Sequence, residues 1–310
     1  MRALGLDTSN YTTSAAVFDG AGGRNAGKLL EVKAGTLGLR QSEALFQHVK
    51  ALPDRVAELK EGGLLEGVAA VAASTRPRAV EGSYMPCFLA GESLGRSLAH
   101  TLNVPFFAVS HQQGHLAAAA WSAGCMELLD RPFLAWHLSG GTTELLLVEP
   151  DGVNLKAERI GGTTDISAGQ LIDRTGVLLG LAFPAGKALD ELAQTCTDHS
   201  KPFPVKLRGL EFSLSGVENQ VKDLLEKGEN AERVAAFALD TVAHVVRRTT
   251  VAAQNEHPGL PVLCSGGVAS NSRLREALSP LNAFFAQPQY STDNAMGVAI
   301  LAHRLAKESK

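Results

Sequence analysis

Leu134-Ala135-Trp136-His137-Leu138-Ser139-Gly140-Gly141-Thr142-Thr143-Glu144-Leu145-Leu146-Leu147-Val148-Glu149 reads as strand, tight turn, strand. Two apolar runs flank a turn of glycines and hydroxyls. Paired glycines let the backbone bend back and bring its N–H groups close to an anion. Ser139, Thr142 and Thr143 add donors without adding charge. Alone, the stretch is a β-hairpin. It has a counterpart in Leu4 to Asp19, where one constant offset sets Leu4 on Leu134, Thr12 on Thr142 and Thr13 on Thr143. A hairpin repeated at the start of each half implies a duplicated core. Two such hairpins facing one cleft would hold a nucleotide phosphate chain from both sides.

The 310 residues suit about two domains. A hydrophobic content of 45% with 20% charged residues is that of an ordinary globular chain. The net charge of −3 argues against a strongly basic nucleic-acid binder, leaving a local basic patch or a partner subunit to supply positive charge. Cys87, Cys125, Cys196 and Cys264 lack Cys-x-x-Cys spacing, so neither a zinc knuckle nor a disulfide framework is expected. Asp7 interrupts the apolar start where a signal peptide needs an unbroken core. No apolar run approaches the roughly 18 residues of a membrane span. The expected location is the cytoplasm, with no membrane contact.

Around the two hairpins the pattern is mixed α/β. A third strand is expected over 28–34, a helix from Ser42 to Leu59, strands at Val68–Ala73 and Val104–Val109, and a small-residue helix from Phe88 to Thr101. Ser110 and Gln113 fit a capping box, Ser-x-x-Gln, opening a further helix. Helices are expected at Ile172–Leu181, Ala188–Cys196, Val217–Leu225, Ala231–Asn255, Ser272–Leu278 and Met296–Leu305. Ser200–Ser213 is expected to be irregular.

Several motifs carry chemistry. His111 and His115 stand one helical turn apart and share a face, a geometry suited to a divalent metal. Asp293 is the natural third ligand; the alternative is one capping and one packed histidine. Gln112 stands where a His-Glu-x-x-His protease needs its glutamate base, so metal-assisted peptide hydrolysis is not indicated. Cys264-Ser265-Gly266-Gly267 runs a buried strand into a glycine turn and a helix start, which favours an anion; the alternative is a connection needing glycine at positive φ. Asn271 can offer its amide to a ribose or base. Asp173 and Asp190 each sit on a helix behind a glycine-containing loop, placed to bond ribose hydroxyls; the alternative is a solvated helix face. Gly180–Lys187 fails the P-loop spacing, with Ala188 in place of Ser/Thr.

These residues together resemble the tRNA threonylcarbamoyladenosine transferase family, also known as the O-sialoglycoprotein endopeptidase or glycoprotease family. Leu4–Ser9 is similar to its opening strand, Gly91–Ala99 to its Gly-x-x-x-Gly-Arg-Ser-Leu-Ala helix, and His111-x-x-Gly114-His115 to its His-x-Glu-Gly-His. Ser139–Thr143 resembles Ser-Gly-Gly-His-Thr, Ala168–Leu181 resembles Ala-Gly-x-x-x-Asp…Leu-Gly-Leu, and Phe212–Gly216 resembles Phe-Ser-Phe-Ser-Gly. Gly266–Arg275 nearly repeats its signature, and Thr292–Ala295 matches Thr-Asp-Asn-Ala. The resemblance implies a two-domain α/β fold of the actin, sugar-kinase and heat-shock-ATPase kind, with a duplicated core and an interdomain cleft. It implies an N-terminal domain over 1–130 completed by a helix at 295–310, and a second domain over 131–294. It implies one iron or zinc on His111, His115 and Asp293. Ser139, Gly140 and Gly141 would line the phosphate path of ATP or an adenylate, and Asp173, Gly186, Asp190 and Asn271 would hold its nucleoside. The implied reaction moves a threonylcarbamoyl group from its adenylate to N6 of the adenosine beside the anticodon of tRNA, with small protein partners.

Departures from that pattern cluster. Asn10-Tyr11-Thr12-Thr13 stands for Cys-Asp-Glu-Thr, Gln113 for a glutamate and Thr142 for a histidine. A Gly-Pro-Gly-Leu loop is replaced by Arg76–Ser83, whose Arg76 and Arg78 suit a phosphate or carboxylate. Beside the tRNA transferase, two readings therefore stand: a diverged paralogue with another acceptor, and a non-catalytic nucleotide-binding module.

Overall fold

The computed structural model describes residues 1–9, 11–32, 39–196 and 201–309. β1 (Arg2–Asp7) and β2 (Thr12–Phe18) pair antiparallel with Asp7 opposite Ser14, and β3 (Gly23–Leu29) adds antiparallel to β2. After α1 (Gln41–Glu61), β4 (Val68–Arg76) lies parallel to β1; after α2 (Phe88–Leu102), β5 (Phe106–Ser110) lies parallel to β4. The sheet order is β3-β2-β1-β4-β5. α3 (His111–Ser122) follows β5 directly. The third strand thus starts earlier than the expected 28–34 and ends at Leu29; residues 33 and 34 lie outside the described residues.

The second sheet repeats this plan. β6 (Phe133–Leu138) and β7 (Thr143–Asp151) pair antiparallel, and β8 (Asn154–Thr163) lies beside β7. α4 (Ala168–Leu178), α5 (Gly186–Gln194), the short β9 (Glu211–Phe212), α6 (Ser215–Glu226) and α7 (Ala231–Glu256) follow. β10 (Val262–Ser265) returns parallel to β6, and past α8 (Ser272–Leu278), β11 (Ala283–Phe285) lies parallel to β10. The order β8-β7-β6-β10-β11 matches that of the first sheet, with β9 added at the edge. α9 (Met296–Glu308) ends the described chain. The constant sequence offset is only an average: Asp7 corresponds to Leu138 and Ser14 to Thr143, so six residues separate the paired positions in the first hairpin and four in the second.

The chain divides into two compact units. The first comprises 1–131, 149–157 and 290–310; the second comprises 132–148 and 158–289. Residues 149–157, the tip of the β7–β8 hairpin, and 290–294 therefore count with the first unit, although the expected boundary ran through 131–294. In the first unit, buried Leu4, Leu6, Ala15, Val17, Val71 and Ala73 bring the β1–β2–β4 surface against α1 and α2. α9 is apolar nearly all round, as a helix packed against β1, β4 and α3 must be. In the second unit, buried Trp136 donates its Nε1–H to Thr250 Oγ1 at 2.9 Å, tying β6 to the long α7. That bond satisfies the indole's one polar group inside the core.

The first unit also buries a titratable group. His48 of α1 is fully enclosed, with Nδ1 2.8 Å from Thr13 Oγ1. Burial pushes its pKa down to about 4, against the opposing pull of the Asp7 charge. The unfolded chain takes up this proton near pH 6.5, while the folded chain refuses it until about 4. Stability from neutral His48 is therefore complete above about pH 6.5 and is lost as pH falls toward 4, by at most about 3 kcal/mol. Urea midpoints at pH 7 and pH 5 should separate in the wild type and draw together in His48→Gln. An equal separation in both would assign the acid sensitivity elsewhere.

Candidate functional site

β1, β4 and β5 are parallel, so their carboxyl ends lie together, as at ligand sites in open α/β sheets. Asp7 ends β1, Ser74 lies near the end of β4, and Ser110 ends β5. Ser110 N-caps α3: its Oγ accepts Gln113 N–H at 3.2 Å, and Gln113 Oε1 accepts Ser110 N–H at 2.8 Å. This is the capping box read from Ser-x-x-Gln. Gln113 Nε2 then donates to Leu155 O at 2.7 Å. Both ends of this buried amide are spent on structure, and a glutamate there has no N–H for Leu155 O. Gln113→Glu should cost about 1–3 kcal/mol through the lost bond and the buried charge, seen as a lower melting temperature. An unchanged melting temperature would contradict this role.

The α3 start presents His111 and His115 to Asp293. His111 Nε2 and His115 Nε2 lie 3.4 and 3.2 Å from the same atom, Asp293 Oδ1. The two rings meet edge to face at 4.3 Å. Asp293 is fixed by its neighbours: Asn294 Nδ2 donates to Thr292 O at 2.6 Å, and Asn25 Oδ1 of β3 accepts Ala295 N–H at 2.9 Å. Behind the pair, His111 Nδ1 lies 3.1 Å from Asp7 Oδ1. Asp7 is fully buried and also accepts from Ser9 Oγ at 2.8 Å and from Ser74 Oγ. Asp7 thereby holds the His111 ring with Nε2 turned to Asp293, an arrangement typical of metal-binding histidines.

Burial disfavours a charged His111, but Asp7 and Asp293 on either side outweigh it and raise its pKa to about 10. Burial likewise opposes the Asp293 charge, and His111 and His115 more than offset it, holding the carboxyl below the usual range. Two imidazole nitrogens and one carboxylate oxygen, all within 4.8 Å of one another, form a donor set for iron or zinc. Tetrahedral ligands on bonds of about 2.0 Å lie roughly 3.3 Å apart, which the 3.4 and 3.2 Å separations match. The residues fit the ion.

The second unit holds a cavity of about 470 Å³ lined by Gly140, Asp173, Gly186, Asp190, Gly267 and Asn271. Ser139 and Gly141 belong to the same turn as Gly140, where Ser139 Oγ accepts Thr142 N–H at 3.1 Å and Ser167 Oγ donates to Gly140 O at 2.6 Å. Asp173 Oδ1 accepts Ala185 N–H at 2.8 Å, which fixes the approach to α5 and leaves Oδ2 for a ligand. Asp190 is more committed: it accepts Asn271 Nδ2 and Ser272 Oγ, both at 2.8 Å, and Ser272 N–H at 3.0 Å. It braces α8 and aims Asn271, whose Oδ1 also accepts Leu274 N–H at 3.0 Å. Asn271 Nδ2 carries a second N–H besides the one given to Asp190, and the residue lines the cavity. Gly266 has φ 94°, and a Cβ there would meet Leu138 O at 2.1 Å, so the turn itself requires glycine.

The paired threonines serve differently from the phosphate role suggested by their repetition. Thr13 Oγ1 is buried against His48, and Thr143 Oγ1 accepts Ala168 N–H at 2.8 Å. Both hydroxyls tie a strand to a helix. Sequence reasoning also missed Asp7 and Ser74; their only signal was a polar residue at the end of an apolar strand. Asp165 was passed over as well: it accepts from Ser213 Oγ, from Leu214 N–H at 2.8 Å and from Ser215 N–H at 3.2 Å, capping α6.

Residues 38–300 match the family model described as tRNA N6-adenosine threonylcarbamoyltransferase. A protein of that name from Granulibacter bethesdensis is 33% identical over 333 residues, covering 97% of this chain and 88% of its own. The chain belongs to the tRNA N6-adenosine threonylcarbamoyltransferase family. It is accordingly a tRNA threonylcarbamoyltransferase. Solved structures show the fold. HypF in its phosphate- and nucleotide-bound form aligns with TM-score 0.63 at 15% identity, over 100% of this chain and 46% of that one. A ROK-family glucokinase from Streptomyces griseus, in complex with glucose and AMPPNP, aligns with TM-score 0.53 at 13% identity, over 98% and 100%. The expected actin, sugar-kinase and heat-shock-ATPase fold is the observed one.

Against the transferase family pattern, the departures now have places. Asn10 lies outside the described residues. Tyr11 is exposed, and its carbonyl accepts Leu30 N–H at 2.9 Å. Thr142 closes the Ser139 turn. The charged loop abuts the start of α3: Pro77 O accepts Gln112 N–H at 3.0 Å, and Arg76 pairs in register with Ser110. Arg76 and Arg78 are both exposed. Among the described residues, no helix is long and apolar enough to cross a membrane.

Proposed function

We propose that this transferase moves threonylcarbamoyl from its adenylate to N6 of the adenosine beside the anticodon, in the cytoplasm, with one iron or zinc held by His111, His115 and Asp293. The observation that carries the metal reading is the convergence of both Nε2 atoms on Asp293 Oδ1. The ion would act as a Lewis acid and template for the carbamoyl or phosphate oxygens. In the transfer, N6 bonds to the carbamoyl carbon, the carbon–oxygen bond to the phosphate breaks, AMP leaves and N6 gives up one proton. Asp7 keeps His111 oriented. Asp173 Oδ2 and Asn271 Nδ2 receive the nucleoside, Asp190 holds Asn271 in place, and Gly186 leaves room beside them. Ser139, Gly140 and Gly141 line the phosphate path.

Expression in cells depleted of their own transferase is the test, with tRNA nucleosides read by mass spectrometry. Return of threonylcarbamoyladenosine supports the reading. Its absence, with folded and metal-loaded protein present, would favour a diverged acceptor. The nucleoside assignment has its own check. Asp173→Ala should weaken ATP binding by calorimetry by about 1.5–3 kcal/mol, the range of one charge-assisted hydrogen bond. Equal affinity would remove Asp173 from the site.

A further inference from the structure

His111 and His115 are carried by a helix, but Asp293 is not. The second unit ends at Gln289, the chain returns to the first unit at Tyr290, and α9 begins at Met296. Residues 291–295 between them form neither helix nor strand. At the α9 end of this segment, Asn294 Oδ1 accepts Met296 N–H at 3.0 Å, and Asn294 Nδ2 donates to Tyr290 O at 3.2 Å. At the other end, the Tyr290 ring meets the Trp121 ring edge to face, with centroids 4.8 Å apart and planes at 73°. That is a favoured arrangement for an aromatic pair. Trp121 lies on α3 itself, in its last turn. Trp121 is held in turn: its Nε1–H donates to Ala21 O at 3.3 Å, and its ring meets that of buried Phe18 edge to face at 6.0 Å. Phe18 meets His303 of α9 in the same manner at 5.4 Å. Tyr290, Trp121, Phe18 and His303 thus form one chain of edge-to-face rings.

We propose that Tyr290 is a positioning residue for Asp293: its ring, clasped against Trp121, fixes the returning segment to the helix that carries His111 and His115. The purpose of that placement rests on the metal reading above. Only three residues of chain lead from Tyr290 to Asp293, a span of at most about 10 Å, so an anchored ring limits where the carboxylate can go. Both rings are half-buried, so the pair is not filler for the core of the unit. A leucine would cover the same surface. The edge-to-face pair adds what leucine lacks, a preferred orientation. Asp293 needs one, since its Oδ1 stands 3.4 and 3.2 Å from two imidazole nitrogens at once. Partners that orient metal ligands from behind are worth about 10–100-fold in affinity. Asp7 does this for His111 through a hydrogen bond, and Tyr290 does it for Asp293 through the chain.

The test uses the full chain, stripped of metal, with zinc as the probe. Tyr290→Leu keeps the apolar bulk and removes the ring pair. It should weaken zinc binding about tenfold, the upper end for one aromatic pair. Tyr290→Phe keeps the ring and should bind zinc as the wild type does. In a Trp121→Leu background, Tyr290→Leu should cost nothing further, because the contact is already gone. Amide exchange over 291–295 in the metal-free protein should quicken in Tyr290→Leu and stay slow in Tyr290→Phe. A ring that served the fold alone would lower the melting temperature of Tyr290→Leu and leave its zinc affinity unmoved. Wild-type zinc affinity in Tyr290→Leu therefore overturns the proposal, as does an undiminished loss in the Trp121→Leu background. A wild type that takes up no zinc, with the exchange difference present, strikes the metal reading and leaves the clasp standing. With the exchange difference absent, the clasp falls too.

Discussion

Purified His115→Ala should contain almost no iron or zinc, against about one ion per chain in the wild type, as a three-ligand open site requires. Removal of His115 leaves His111 and Asp293, and the proton on His111 then competes with any remaining ion. tRNA modification should fall by at least about a hundredfold, because a Lewis acid contributes several kcal/mol and each 1.4 kcal/mol is a factor of ten. Asp7→Asn should act more mildly, weakening metal affinity by about 10–100-fold while keeping every ligand. In the wild type, affinity should rise with pH, since binding displaces the His111 proton. Full metal content in His115→Ala, measured by elemental analysis, would make the histidine pair structural.

Gly297→Ala should be among the most damaging single substitutions in the chain. A Cβ at Gly297 would stand 1.7 Å from Gly114 O and 2.9 Å from Ala118 N, both backbone atoms of α3. No rotamer change relieves a backbone clash, so α3 and α9 must move apart. Overpacking of this kind costs about 1–3 kcal/mol and sometimes more; a backbone-to-backbone clash belongs at or beyond the upper end. The same shift acts on the proposed metal centre, because Gly114 lies between His111 and His115, and Asp293 lies three residues before α9. Melting temperature and metal content should therefore fall together. A Gly297→Ala protein that melts with the wild type and keeps its metal would refute the close crossing.

What could be read from sequence was what is local. The Ser110–Gln113 capping box spans one helical turn, and both of its bonds form. The duplicated hairpins stand out because each is a short run with its own turn, and the two sheets share one strand order. The hydroxyl partners were not legible, because their bonds join distant residues: Thr13 meets His48 of α1, and Thr143 meets Ala168 of α4. Asp7 illustrates the same limit. Its bond to His111 depends on the parallel register of β1, β4 and β5, which no sequence spacing announces. Asp190 lines the expected cavity, but the bonds it accepts from Asn271 and Ser272 join residues about eighty positions apart and were not legible.

The placement of α9 has a consequence for biosynthesis. The first unit begins with β1 yet takes its closing helix from Met296–Glu308, packed on β1, β4 and α3. On the ribosome, domains fold as units in the order their segments emerge. All of residues 132–289 emerge before that helix, so the later-starting unit can finish first. Asp293 arrives with the same segment, so His111 and His115 leave the ribosome well before the carboxylate that meets them. A ribosome stalled before residue 290 carries a nascent chain with both histidines and without Asp293.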